Sequence, residues 1–146
     1  MVAFIALELQ QEVKEKIYRY VREVIKPLCR EGRWVDSANY HLTLKYIGPV
    51  EERQVDVLYR LLNEAASRYG GFRLDTGRVG VFGEAGAGRA RVLWLDTTGD
   101  VLLTRNPGEM EKLQQVSLNA TSVSLMESRL EGKKRVYIPL SVHRLG

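Results

Sequence analysis

The chain has 146 residues, of which 45% are apolar and 27% charged. This size and composition are typical of one globular domain and exclude a fibrous or disordered chain. The formal net charge of +4 favours anionic partners such as phosphates but selects none of them. We expect residues 1–146 to form a single domain, and a monomer.

The chain contains one cysteine, Cys29. A single thiol excludes an internal disulfide and a cysteine metal cluster, and it fits a reducing cytoplasm. We expect Cys29 to be structural. The apolar start lacks the basic flank of a signal peptide, and no run is long enough to span a membrane. These features predict a cytoplasmic protein.

The first half of the chain predicts strands and helices in alternation. Residues 2–9 form an apolar run typical of a buried strand. A helix follows from Gln10, with apolar residues at three- and four-residue steps and Pro27 near its end. Residues 33–35 are expected to be extended, 36–39 a turn and 40–47 a strand that Gly48 and Pro49 end. A second helix is predicted over 51–69, with the apolar stripe Val55, Leu58, Leu61, Leu62, Ala65 and Ala66.

The second half predicts mainly strands. These cover 72–76, 79–82 and 91–97, with a glycine-rich loop at 83–88. A strand at 100–105 and a weak helix at 107–118 precede a final hairpin of 120–129 and 134–144, joined by a turn of three to five residues. Phe4, Trp34, Phe82 and Trp94 lie in or beside these strands and are expected to pack in the core. This order of elements predicts the α+β class with mostly antiparallel sheets.

The strand at 40–47 carries a polar face that suits phosphate chemistry. His41, Thr43 and Lys45 are two residues apart, so they are expected to share one strand face at spacings of about 7 Å. An imidazole can transfer protons near neutral pH, and a threonine hydroxyl can donate a hydrogen bond to a phosphoryl oxygen. The residues alone nevertheless favour a plainer interpretation, in which a backbone carbonyl satisfies His41. His143, the only other histidine, is expected to be a surface residue near the chain end.

Segments in order along the chain resemble those of the 2H phosphoesterase superfamily, the 2′-5′ RNA ligase-like RNA cyclic phosphodiesterases. Residues 39–48, Asn-Tyr-His-Leu-Thr-Leu-Lys-Tyr-Ile-Gly, are similar to the family's first His-x-Thr signature. Further matches cover residues 3–7, 33–35, 79–83, 91–95, 124–130 and 136–140.

The resemblance implies a bilobal α+β duplication with a central cleft. Each lobe of the family supplies one His-x-Thr strand, and the two histidines act as a general acid/base pair on a 2′,3′-cyclic phosphate without a metal or other cofactor. The threonines hold the phosphate. For this chain the resemblance assigns His41 and Thr43 as catalytic residues and identifies RNA ends or 2′,3′-cyclic nucleotides as partners.

The chain departs from the family where the second His-x-Thr motif is expected. No histidine lies between His41 and His143. Alignment on Arg105 places Asp100 at the histidine position and Leu102 at the threonine position, with the connecting helix deleted and the second lobe shortened. Three interpretations stay open: a degenerate member that binds without turnover, a substitute group, or a missing internal segment.

We therefore predict an RNA 2′,3′-cyclic phosphodiesterase that hydrolyses the cyclic ester to a 2′-phosphate with His41 as general acid/base. Thr104 and Arg105, together with Lys45, are candidate phosphate or RNA ligands, since arginine can bind phosphate through two hydrogen bonds. The first alternative is a catalytically degenerate module that binds RNA ends or nucleotides in the same cleft. The second is an interaction protein that retains only the fold.

Overall fold

A computed structural model of the chain describes residues 1–28, 33–83, 90–98 and 116–146. For Leu28, 77–83 and 90–98 it describes the backbone alone. Several sequence predictions lie outside the described residues: Cys29, residues 84–88 of the predicted loop, the strand at 100–105 with Asp100, Thr104 and Arg105, and most of the weak helix. The side chains of Phe82 and Trp94 are also outside the description.

Four antiparallel strands form the larger sheet of the described chain. They are β1 (Val2–Glu8), β2 (His41–Pro49), β6 (Ser122–Glu131) and β7 (Lys134–Arg144), in the spatial order β2-β1-β6-β7. The strand β1 lies in the middle because it is the most apolar of the four, with Ala3, Phe4, Ala6 and Leu7 all buried. This sheet carries both histidines, one on each edge strand.

The smaller sheet consists of β3 (Phe72–Gly83), β4 (Ala90–Thr98) and β5 (Ser117–Ala120), in the order β4-β3-β5. The two strands predicted at 72–76 and 79–82 are one strand with a register shift between Thr76 and Val79. The prediction that the weak helix reaches Leu118 is wrong, because Ser117–Ala120 is a strand. Leu118 is 2% exposed and pairs with Leu74, so burial between strands outweighs the weak helical pattern there.

The first helical region is α1 (Gln11–Tyr20), followed by a π-helical turn at Val21–Ile25 and the single turn α2 (Lys26–Leu28). The N–H of Lys26 reaches back to the carbonyl of Val21, five residues earlier. Pro27 has no N–H and its ring crowds the preceding turn, which gives a physical reason for the wider turn at this point. The residues at 33–36 lie in no helix and in no strand of the described sheets.

The second long helix, α3 (Glu52–Arg68), begins with a capping box between Glu51 and Gln54. Leu62 and Ala66 are buried against the larger sheet, beside Leu7 and Leu125. Leu61 was expected in this stripe but is 58% exposed. One stripe of the helix suffices to cover the sheet, and Leu61 lies outside it.

Each long helix covers one sheet. α3 packs on the larger sheet, while Val13 and Ile17 of α1 pack with Val116 and Leu118 at β5 of the smaller sheet. The chain therefore crosses from one sheet to the other and back. The turn between β6 and β7 is tighter than expected, because Glu131 pairs with Lys134 and only Gly132 and Lys133 lie between them. Gly132 has a φ of 62°, which glycine adopts without strain.

Candidate active site

A short turn fixes the position of His41 at the start of β2. Residues Ser37–Asn39 form one 3₁₀ turn. The Asp36 carboxylate accepts a hydrogen bond from the N–H of Ala38 at 3.0 Å, and the N–H of Asn39 donates to the carbonyl of Asp36 at 2.8 Å. An aspartate before such a turn satisfies backbone donors that would otherwise be unpaired. The strand then begins directly at His41.

Both ring nitrogens of His41 have hydrogen-bond partners. Nδ1 lies 2.7 Å from the carbonyl oxygen of Asn39, and Nε2 lies 2.9 Å from Oγ1 of Thr43. A carbonyl oxygen only accepts, so Nδ1 carries the proton and donates. In the neutral ring Nε2 then has the free lone pair and accepts from the hydroxyl of Thr43. The backbone carbonyl expected by the plainer interpretation is present, yet it leaves Nε2 beside the threonine.

Two aromatic rings hold the imidazole from the sides. The centroid of Phe4 lies 5.0 Å from that of His41, and the centroid of Tyr137 lies 4.8 Å away in an edge-on arrangement. Phe4 is 4% exposed, as expected for a core residue. These contacts restrict the tilt of the ring, so the direction of Nε2 is set by packing as well as by hydrogen bonds.

His41 lines a small recess of about 60 Å³ where β1 ends and β2 begins. The other walls come from both helical and strand residues: Glu8, Lys14, residues 38–40, Met126, Tyr137 and Pro139. Nζ of Lys14 donates to the carbonyl of Ala38 at 3.0 Å, which brings a positive charge to the edge of the recess. Burial raises the pKa of Tyr40, with smaller effects of Tyr18 and Asp36, so its phenol stays neutral.

A register shift changes the expectation for Lys45. Glu8 pairs with His41 and Ala6 with Thr43, but the next pair is Ile5 with Lys45, so one residue of β2 is extra. Such a bulge reverses the alternation of side chains. Ile5 packs with the core under α3, so Lys45 does not share the face of His41 and Thr43. The expectation of one shared face is wrong for Lys45.

His143 is buried rather than on the surface, contrary to the sequence prediction. It is 3% exposed. Its Nδ1 lies 3.2 Å from Oδ1 of Asn63 on α3, and its Nε2 lies 2.9 Å from Oγ of Ser141. Burial lowers the pKa of His143. Asn63 lies on α3, which packs on one face of the larger sheet. Phe4, Met126 and His41 lie on the opposite face. His143 therefore joins α3 to β7 and takes no part in the recess.

A larger recess of about 400 Å³ lies between the start of α1 and β5, lined by residues 10–13, Lys16, Ser117 and Asn119. It contains neither histidine, so we place the candidate chemistry in the smaller recess. Within the described ranges, no three His, Cys, Asp or Glu side chains come together as a metal site would need. None of the helices that the structure describes is long and apolar enough to cross a membrane.

Three residues of the recess were missed from the sequence: Glu8, Lys14 and Tyr137. Glu8 ends the first strand, and a predicted pairing of the first strand with the His41 strand would have brought it close. Lys14 lies on the charged side of α1, where Lys16 and Arg19 were equally plausible. Tyr137 had no signal beyond its place in a strand, because its approach to His41 depends on the order of the strands.

Comparison with known proteins gives a consistent family. The family model for LigT-like phosphoesterases matches residues 7–94. An RNA 2′,3′-cyclic phosphodiesterase of Aquifex aeolicus is 30% identical over 112 residues, which are 76% of this chain and 57% of that protein. One of Bacillus subtilis is 29% identical over 102 residues, 70% of this chain and 54% of that protein. The chain thus spans little more than half the length of these relatives.

An archaeal RNA 2′,3′-cyclic phosphodiesterase, of Methanothermobacter thermautotrophicus, aligns from end to end. It is 22% identical over 183 residues, covering 98% of both chains. That alignment is longer than this chain of 146 residues, so the relative has internal residues without a counterpart here.

Solved structures show the same fold. A protein of Thermus thermophilus superposes with a TM-score of 0.82 at 20% identity, covering 99% of this chain and 98% of that one. Escherichia coli LigT, in a crystal structure with ATP, superposes with a TM-score of 0.74 at 24% identity, covering 99% and 96%. The α+β fold with antiparallel sheets is therefore shared with these two proteins.

Proposed function

Because the chain belongs to the LigT-like phosphoesterases of the 2H superfamily, we propose that it is a cyclic phosphodiesterase that opens the 2′,3′-cyclic phosphate at an RNA end. The observation that carries this proposal is the pair formed by Nε2 of His41 and Oγ1 of Thr43, 2.9 Å apart. The curated relatives that bear the name RNA 2′,3′-cyclic phosphodiesterase support the substrate class.

In the proposed reaction, water attacks the phosphorus and the 3′ oxygen leaves, which yields a 2′-phosphate. His41 exchanges a proton at Nε2, while its Nδ1–H remains fixed on the carbonyl of Asn39. A phosphoryl oxygen takes the place of the imidazole as partner of the Thr43 hydroxyl, which then donates to the substrate. Phe4 and Tyr137 keep the ring in position during the exchange.

Positive charge around the recess supports the binding of an anion. Lys14 lines the recess itself. Lys45 is on the other strand face by register, so its proposed part is a longer-range attraction that salt screens. Thr104 and Arg105 stay proposed phosphate or RNA ligands on the sequence alone. We also propose a monomer that works in the cytoplasm, where a single thiol stays reduced.

The test is the hydrolysis of a 2′,3′-cyclic mononucleotide, with the product identified by phosphorus NMR. We expect a 2′-phosphate as the product. A 3′-phosphate product would contradict the proposed direction of bond cleavage.

A second candidate function is the binding of RNA ends without turnover. The absence of a second His-x-Thr motif from the sequence favours this function. Binding of a 2′-phosphorylated nucleotide by a chain that leaves the cyclic substrate intact would establish this alternative. Escherichia coli LigT has been crystallised with 3′-AMP and with ATP, so nucleotides are suitable probes.

A further inference from the structure

Glu8, the last residue of β1, lies directly opposite His41 in the larger sheet. The two residues are paired across β1 and β2, and both line the recess of about 60 Å³. Residues paired in this way point to the same sheet face, with their Cβ atoms about 5 Å apart. The recess therefore has a carboxylate and an imidazole on adjacent strands, at the same end of the sheet.

The carboxylate of Glu8 has no structural task among the described residues. It forms no hydrogen bond or ion pair with any of them, and it is exposed. Some other acidic side chains are engaged: Glu127 pairs with Arg129 at 2.9 Å, and Glu51 pairs with Arg53 at 2.6 Å. Glu8 is thus available for contact with a ligand in the recess.

The charge of Glu8 is compatible with an anionic substrate because Lys14 lies in the same recess. An ammonium group there offsets the repulsion between the carboxylate and a phosphate.

We propose that Glu8 is the second acid/base group of this site and acts with His41, where the sequence offers no second His-x-Thr histidine. This inference rests on the proposed function and adds a catalytic residue to it. A cyclic phosphodiester needs one group to take a proton from water and another to give one to the leaving oxygen. Glu8 and His41 supply these two groups from opposite strands.

Atoms and protons balance in this step. The Glu8 carboxylate takes a proton from water, and the water oxygen forms a bond to phosphorus. The bond from phosphorus to the 3′ oxygen breaks, and that oxygen receives the proton from Nε2 of the charged His41. The products are the 2′-phosphate, a protonated Glu8 and a neutral His41. Proton exchange with solvent, to which Glu8 is exposed, restores both groups.

The decisive variant is Glu8→Gln, which keeps the size of the side chain and removes its basicity. We expect kcat/KM on a 2′,3′-cyclic nucleotide to fall about 10²- to 10⁴-fold. The acidic limb of the pH profile is expected to disappear, since it reports ionisation of the base. Binding of the 2′-phosphate product, measured by calorimetry, is expected to persist. Glu8→Asp retains a carboxylate and is expected to keep the acidic limb.

The matched control is Glu12→Gln, an exposed glutamate four residues later that lines the other recess. It is expected to keep the wild-type rate and pH profile. A Glu8→Gln protein that is folded by circular dichroism and retains the wild-type rate, or its acidic limb, would overturn the role of Glu8 while leaving the proposed function intact. A wild-type chain without turnover would overturn the proposed function and this role together.

Discussion

Replacing His143 by glutamine is expected to make the fold less sensitive to acid. His143 is buried between α3 and β7, and this burial lowers the pKa of its imidazole below the ordinary 6.5. Above that ordinary value the ring is neutral in the folded and the unfolded chain, and its contribution to stability is complete. Below it, the unfolded chain takes up a proton that the folded chain still excludes, so the free energy of unfolding falls.

The size of the effect has an upper bound. A difference of one bound proton changes the free energy of unfolding by about 1.4 kcal/mol for each pH unit. Between about pH 7.5 and about pH 5.5, His143 therefore accounts for a loss of at most about 1.4 kcal/mol. The amide of a glutamine does not titrate, but it can donate to Asn63 and accept from Ser141 as the imidazole does.

The contribution of His143 is measured by urea unfolding of the wild type and His143→Gln at both pH values. The loss of unfolding free energy between the two pH values is compared for the two proteins. The effects of the carboxylates common to both proteins cancel in this comparison. The wild type is expected to lose more stability on acidification than the variant. Equal losses in the two proteins would refute a buried, neutral His143.

Other substitutions test separate parts of the structure. Thr43→Val keeps the shape of the side chain and removes the hydroxyl beside Nε2 of His41. The rate of cyclic nucleotide hydrolysis is expected to fall about 10²- to 10³-fold in this variant. Lys45→Ala is expected to change the rate little at high salt. A Thr43→Val rate equal to that of the wild type would contradict the phosphate role. Leu125→Ala opens the core under α3, where Leu125 is fully buried, and is expected to cost about 2–5 kcal/mol in urea unfolding. Phe4→Ala is expected to cost about 3–5 kcal/mol, and Phe4→Leu, which keeps most of the buried apolar volume, less than about 1.5 kcal/mol. Similar costs for both would contradict this and show that the ring contacts with His41 and Tyr137, rather than the buried volume, carry the stability.

Much of the fold followed from periodicity. The apolar run of β1 and the stripes of α1 and α3 predicted these elements within a few residues, because each buries one side in a core. The extent of β3 was not predictable in the same way, since its irregularity at 76–79 splits the pattern while the pairing with β4 continues. The final turn proved tighter because pairing between Glu131 and Lys134 continues to the last residue.

The candidate site was predictable only in part. The His-x-Thr pattern identified two residues whose side chains the structure joins by a hydrogen bond. The prediction that Lys45 shares a strand face with His41 and Thr43 failed because β2 contains a bulge. The bulge depends on pairing with β1, so the sequence of β2 alone does not reveal it. Burial of His143 also depended on tertiary contact, since a position three residues from the chain end suggests exposure while α3 covers it.

The most direct test of a reaction centred on His41 is the rate at which the wild type, His41→Ala and His143→Gln hydrolyse a 2′,3′-cyclic nucleotide in the presence of a chelator. We predict turnover by the wild type, a loss of about 10²- to 10⁴-fold in His41→Ala and a nearly unchanged rate in His143→Gln. Full activity of His41→Ala, or a loss confined to His143→Gln, would contradict the central role of His41.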